Sequence, residues 1–283
     1  DDVNFSIGKS SNVVFSTDTL QFDTVFSNLG TSYKRFKVYN SSSKDIRISQ
    51  IRLAGNGESG FQVNVDGTSG CTFSDVEIYG KDSIFLFVKL LPKEQGSGVP
   101  VEIKDSLVFS FANGVEQYVH LRAFVQDAVV LHSLVVDDLL ELNNDKPYII
   151  YDSIVVALNG ILSIESGTKL FFHNNANLNV HGKVFCNGKQ DSPVVFRGMR
   201  TDKILPYLPY DRLDGQWGGI RIMPESFGNV FESVDIHGGS YGIECSLAGI
   251  EYYKLQMHNS KVHNVSADAL RMDYCAGRFV NCE

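Results

Sequence analysis

A chain of 283 residues, 43% hydrophobic and 20% charged, is long enough to bury two cores. Its formal net charge of −8 argues against wrapping nucleic acid or docking on an anionic membrane, since both need clustered Lys and Arg, and it disfavours acidic partners generally. No run approaches the roughly 18 apolar residues that a spanning helix requires, and the opening is not a basic-then-apolar signal segment, so a soluble or already processed chain is expected.

Up to about Gln126 the apolar runs are short and divided by polar turns: VVFST, LQFDTVFS, KRFKVYN, IRISQIRLAG, FQVNVDG, VEIYG, SIFLFVKLL, DSLVFSFANG and QYVHLRAFV. Runs at this spacing, rich in Val, Ile, Phe and Tyr, predict an antiparallel immunoglobulin-like β-sandwich over residues 1–127. In KRFKVYN the alternation sends Phe36 and Val38 inward and Lys37 to water. Cys71 is the only cysteine of this part, so the inter-sheet bridge of antibody domains is absent; GNGESG (55–60) lacks a strand-then-helix context and reads as a turn.

DAVVLHSLVVDDLLELNND follows, with a period ambiguous between a buried strand and a short helix; it is expected to cap and open a second domain, residues 128–283. From about Pro147 the strands become very short and turn at Gly or Asn, as in GTKLFFHNNANLNVHGKVFCNG. There Leu170 with Phe172, Leu178 with Val180, and Val184 with Cys186 form successive inward pairs. Such strands suit the rungs of a right-handed parallel β-helix, a solenoid. ESVDIHGGSYGIE (232–244) lies over NSKVHNVSADALR (259–271), placing Ile236 over Val262 and His237 over His263, and Asn281 aligns with Asn259. The last coil then ends on an unpaired edge, so capping by further chain or by a partner is expected.

The N-terminal STDTLQFDTVFSNLGTSYKRFKVYNSSSKDIRISQIRLAG, the junction DKPYIIYDSIVV, the rung GTKLFFHNNANLNVHG and the segment PYDRLDGQWGGI resemble a group of secreted Bacteroidetes surface proteins. These are usually lipoproteins carrying an immunoglobulin-like domain and a right-handed parallel β-helix. The resemblance implies an extracellular or cell-surface location, as an outer-membrane lipoprotein with a lipid anchor just before Asp1. It implies no activity and supplies no catalytic residues.

The longest interruption of the rungs, residues 199–217, interleaves Tyr207, Tyr210 and Trp217 with Asp211, Arg212 and Asp214. Aromatic faces beside carboxylate and guanidinium groups are what a sugar-binding surface needs, which makes Tyr207, Tyr210, Asp211, Arg212 and Trp217 the candidate ligand-binding residues. Packing of Leu205, Leu208 and Trp217 against the wall is the structural alternative. Asp235, Glu244, Asp268 and Asp273 are dispersed along the wall, and RIM at 221–223 lacks the basic third residue of the RIK signature in pectin-degrading hydrolases. His237, His263 and His258 suggest a metal pair, yet read better as a ladder at a turn, and Asn174, Asn175 and Asn177 as turn residues. The five cysteines, Cys71, Cys186, Cys245, Cys275 and Cys282, lack CxxC spacing and are odd in number; they are expected to pack as small apolar groups.

These readings lead to a non-catalytic surface or secreted protein that recognises a glycan or a protein, with no cofactor, no metal and no nucleic acid. A polysaccharide lyase or glycoside hydrolase, or a structural component of an envelope assembly, are the alternatives.

Overall fold

A computed structural model describes residues 13–205, 207–246 and 249–283, and the chain divides into two compact units after Asp127. The opening DDVNFS, on which the anchor expectation bears, lies outside the described residues. Among the described residues every regular element is a β-strand except one 3₁₀ turn, Tyr210–Arg212.

In the first unit two five-stranded sheets share one core. One sheet runs, in spatial order, Val13–Phe15, Lys34–Asn40, Ser83–Leu90, Phe61–Val65 and Thr68–Gly70, antiparallel throughout. The other runs Thr19–Phe26, Glu116–Gln126, Val101–Phe111, Ile46–Leu53 and Thr72–Ile78; its first pair is parallel and the rest antiparallel. Period-2 alternation selects the core: Phe36 and Val38 are buried, while Arg35 and Tyr39 face out. Phe22, Ile48, Phe61, Leu86 and Phe109 from both sheets meet between them, each worth about 1.5–3 kcal/mol on burial. Cys71 is a free thiol, and residues 55–60 form a turn. Gly60 there has φ +85°, and a Cβ on it would lie 2.4 Å from the Leu91 carbonyl oxygen.

In the second unit short strands stack in parallel in three columns. Tyr148, Leu170, Phe196, Ile236 and Val262 follow one another in the first. Ile154, Leu178, Ile220, Ile243 and Leu270 do so in the second, which shares the long strand Tyr148–Val156 with the first. Leu142, Ile164, Cys186, Phe231, Met257 and Phe279 make the third. Along the first column successive partners lie 22, 26, 40 and 26 residues apart. The one long interval contains residues 199–217.

The inward pairs read from the opening rungs, Leu170 with Phe172, Leu178 with Val180 and Val184 with Cys186, are all buried. Ile236 sits on Val262, and His237 on His263. Asn281 donates from Nδ2 to Oδ1 of Asn259 at 2.8 Å, and both residues are left-handed, φ +52°, a conformation Asn tolerates better than most residues. Asn175, also left-handed, accepts from Asn177 Nδ2 at its carbonyl, a turn role. The ambiguous joining stretch is strand: Val129–Val136 pairs with Tyr148–Val156, and Leu139–Leu142 with Ile161–Glu165. It forms the first layer of the columns and contains no helix.

Candidate functional site

Three similar motifs, VVFRG (194–198), VDIHG (234–238) and KVHN (261–264), occupy consecutive positions of the first column. Alternation turns Phe196, Ile236 and Val262 inward, so Arg197, Asp235, His237, Lys261 and His263 line the outer face. Parallel pairing without slip stacks the rings of His237 and His263 at 4.9 Å, 17° from parallel.

Segment 199–217 leaves the column after Gly198 and folds back over this face. A short hairpin, Lys203–Leu205 against Leu208–Pro209, leads into the 3₁₀ turn that delivers Asp211. The return is laced down by backbone bonds from Gln216 to Gly238 (2.7 Å) and from Gly215 to Gly239 (3.0 Å). Asn264 Nδ2 adds a bond to the Arg212 carbonyl, 2.7 Å. Gly198 permits the close approach: a Cβ there would lie 2.6 Å from both Cβ and Oε1 of Gln216.

Asp211 Oδ1 accepts from Arg197 at 2.6 Å and from His237 Nε2 at 2.9 Å. The other ring nitrogen, His237 Nδ1, meets Asp235 Oδ1 at 2.8 Å. Asp235 also accepts from His263 Nε2 at 3.1 Å and, on Oδ2, from Lys261 at 2.7 Å. The His237 side chain is 8% exposed and that of Asp235 14%. Burial opposes charge on His237, but carboxylates at both nitrogens outweigh it and raise its pKa above the ordinary value, favouring the imidazolium, which can donate from both nitrogens. For Asp235 burial is again the largest influence and would raise the pKa; bonds from His237 and Lys261 overcome it and hold the carboxyl far below the usual range. Asp211 is lowered chiefly by its bond from His237, with Arg197 adding to the effect. Desolvation lowers Arg197, against the pull of Asp211 and Asp235.

Ligand atoms of Asp235, His237 and His263 lie within 4.8 Å of one another, a set that could hold a metal ion. The spacing reading missed the carboxylate that completes it: Asp235 stands two residues before His237 on the same strand and reaches His263 through the column. The geometry nevertheless favours an ion network. Lone pairs in nearly parallel rings run side by side and do not converge on one ion about 2 Å from each nitrogen, and both His237 nitrogens already face carboxylates.

The residues proposed for sugar binding divide. Trp217 is fully buried, stacked on Phe172 at 4.4 Å, and donates from Nε1 to the His237 carbonyl at 2.8 Å. This corrects its assignment as a ligand platform: the indole fills the core at the return point. The Tyr210 ring lies under the Arg200 guanidinium, 3.5 Å from centroid to carbon. Tyr207 is 76% exposed at the hairpin tip beside exposed Ile204 and Leu205, and the Arg212 side chain is exposed. Asp211 belongs to the ion network. Glu244 pairs with Arg221 at 3.5 Å, Asp273 with Arg271 at 3.0 Å, and His258 with Glu232 at 3.1 Å; Asp268 is exposed. Arg197 and Lys261 escaped the sequence reading, although laying VVFRG over VDIHG and KVHN would have found them.

On the first unit a hollow of about 470 Å³ is lined by Lys104, Asp105, Ser106, His120 and Arg122, among others. Ser106 Oγ lies 3.1 Å from His120 Nδ1 across two paired strands. The neighbouring Asp105 carboxylate is taken up by the amides of Gly55 and Ser106 and by the Ser59 hydroxyl. It does not orient His120, as the third member of a nucleophilic triad must.

No protein-family model matches the chain, and no curated protein matches it. Solved structures with slight similarity include the following three. WR4, a C. elegans MSP family member, is 11% identical, with 41% of this chain and 99% of that chain covered and a TM-score of 0.27. The ASH/PapD-like domain 7 of human CEP192 is 11% identical, with 45% and 96% covered and a TM-score of 0.26. A family 123 glycoside hydrolase from Clostridium perfringens is 6% identical, with 41% of this chain and 26% of that chain covered and a TM-score of 0.29. Similarity of this extent assigns no function, and the all-β class rests on the strand pairing itself.

Proposed function

We propose that this protein is a non-catalytic binding protein of the cell surface or secreted milieu, in which an immunoglobulin-like sandwich precedes a right-handed parallel β-helix and segment 199–217 engages a protein partner. The three parallel columns, whose intervals run from 22 to 27 residues except for one longer interval in each, support the solenoid reading. The location rests on the resemblance to Bacteroidetes surface proteins. The observation that carries the binding reading is the pairing of a clamped base with an apolar tip. Asp211 is held by Arg197 and His237, while Ile204, Leu205 and Tyr207 stand in solvent. Exposed apolar side chains on a braced hairpin suit burial in a protein interface. A glycan would want flat aromatic faces, and here Trp217 is in the core and Tyr210 under Arg200.

The row Asp211, His237, Asp235 invites the hydrolase or lyase alternative, but its donors and acceptors satisfy one another, leaving no protonated carboxyl to act as general acid. The test is site-specific photocrosslinking with Tyr207→benzoylphenylalanine, and with Tyr79→benzoylphenylalanine as control, in a surface-protein fraction of the source cells. Adducts specific to position 207, whose protein binds the native chain but not Leu205→Asp, support the reading. Identical adducts from both positions refute it. Product formed from a polysaccharide and abolished by Asp211→Asn would replace it with the enzyme alternative, and oligomers that grow with concentration and persist in Leu205→Asp with the structural one.

A further inference from the structure

A second surface lies on the first unit, on the outer face of the sheet containing Lys34–Asn40, Ser83–Leu90 and Phe61–Val65. Register places Arg35 opposite Phe87, Lys37 opposite Phe85, and Lys89 opposite Gln62. The outward positions of these three strands therefore carry three cations, and no carboxylate stands among them. Among the described residues Arg35, Lys37 and Lys89 have no ion-pair partner, whereas Lys34, which points the other way, pairs with Asp23. In a chain of net charge −8 this patch is of the opposite sign.

Aromatic rings are set between the cations. Phe85 and Phe87 lie 6.2 Å apart, and Tyr33 stands edge-on to Phe87 at 6.4 Å. Lys37 lies 4.8 Å above the Phe85 centroid, Arg35 5.3 Å from the same ring, and Lys89 5.3 Å from Tyr33. Tyr33, Tyr39 and Phe85 are exposed. The cations therefore rest on rings and have donors left for a ligand.

We propose that this face binds an anionic polysaccharide, its carboxylate or sulfate groups meeting Arg35, Lys37 and Lys89 and its apolar C–H surface packing on the exposed parts of Tyr33 and Phe85 that the cations leave uncovered. Charge complementarity demands an anion, and exposed Tyr33 and Phe85 beside the cations add apolar surface that suits a sugar more than a simple polyanion. The overall negative charge, which disfavours acidic partners, averages over this local reversal.

Affinity electrophoresis of the full chain through gels containing polygalacturonate, dextran sulfate, neutral dextran or poly-L-glutamate tests the proposal. Retardation by polygalacturonate or dextran sulfate, but not by dextran, is expected, the stronger of the two showing which anionic group is preferred. Lys37→Gln/Lys89→Gln, which leaves the core untouched, should weaken it about tenfold, and Tyr33→Ala at least about threefold. Arg47→Gln on the opposite sheet should leave it unchanged. No retardation by either anionic polysaccharide overturns the proposal, as does retardation that survives in Lys37→Gln/Lys89→Gln. Equal retardation by poly-L-glutamate, indifferent to Tyr33→Ala, would reduce the face to a nonspecific cation patch and overturn it too. Position 207 lies in the other unit, so failure here is distinguishable from failure of the hairpin reading.

Discussion

Asp235→Asn keeps the shape of the side chain and one acceptor oxygen while removing the charge at the centre of the Arg197–Asp211–His237–Asp235 network. Its three bonds are unequal. Those from Lys261 and His263 reach groups more than a third exposed, and screening limits each to below about 1 kcal/mol. The bond with His237 joins side chains 8% and 14% exposed and retains about 1.5–3 kcal/mol. A net loss of about 2–3 kcal/mol follows, a fall in Tm of roughly 4–12 °C for a unit of this size. Trp217, the only tryptophan, is buried in the second unit with its indole on the His237 carbonyl, so its emission reports this unit. The difference between native chain and variant should depend on pH. Asp235 is depressed in the fold, so its contribution is present above the unfolded value of about 4 and is lost as pH falls through the folded value. His237 is raised, so its contribution is complete below about pH 6.5 and is lost as pH rises through the folded value. The gap should therefore be widest between about pH 4 and 6.5 and narrow on both sides. A fall in Tm under about 1 °C, or a gap constant from about pH 3 to about pH 9, would refute the network as a stabilising clamp.

Gly198→Ala should place a methyl against Gln216 and loosen the return of the segment at a cost of about 1–3 kcal/mol; faster proteolysis within 203–209, with the sandwich left intact, is the measurement. Adding Zn²⁺ should leave the Trp217 unfolding midpoint unchanged, and a saturable rise that disappears in His263→Ala would show that the stacked rings can turn to ligate a metal. Thiol labelling at about pH 8 followed by peptide mapping should modify exposed Cys282 first. Cys245, its thiol pushed up to about 12 by burial, and Cys186, pushed higher still by burial, should react only after denaturation; equal native rates for Cys186 and Cys282 would contradict the packing.

Much of the fold is written in local pattern. Alternation in KRFKVYN and in GTKLFFHNNANLNVHG specifies which side chains enter a core, and Asn and Gly at intervals of about two dozen residues mark the turns, because each depends only on near neighbours. The 26-residue offset that lays His237 over His263 was likewise readable, since no insertion intervenes. Arg197 lies one layer further back, and the 199–217 excursion stretches its interval to 40 residues, which breaks the repeat as a linear signal. The same excursion hides the roles of its own residues. Nothing local distinguishes Trp217, drawn into the core where the chain rejoins the column, from Tyr207, left in solvent at the hairpin tip. Lys254, charged in sequence, is buried with its ammonium donating to the carbonyls of Met223, Pro224 and Ser226. The cation and aromatic face of the first unit depends on which strands lie side by side, a matter of long-range register. Sequence alone determined the inward and outward sense of strands with clean alternation, such as KRFKVYN; only the tertiary structure decided which outward residues from distant strands became neighbours, because that is set by chain return and not by spacing.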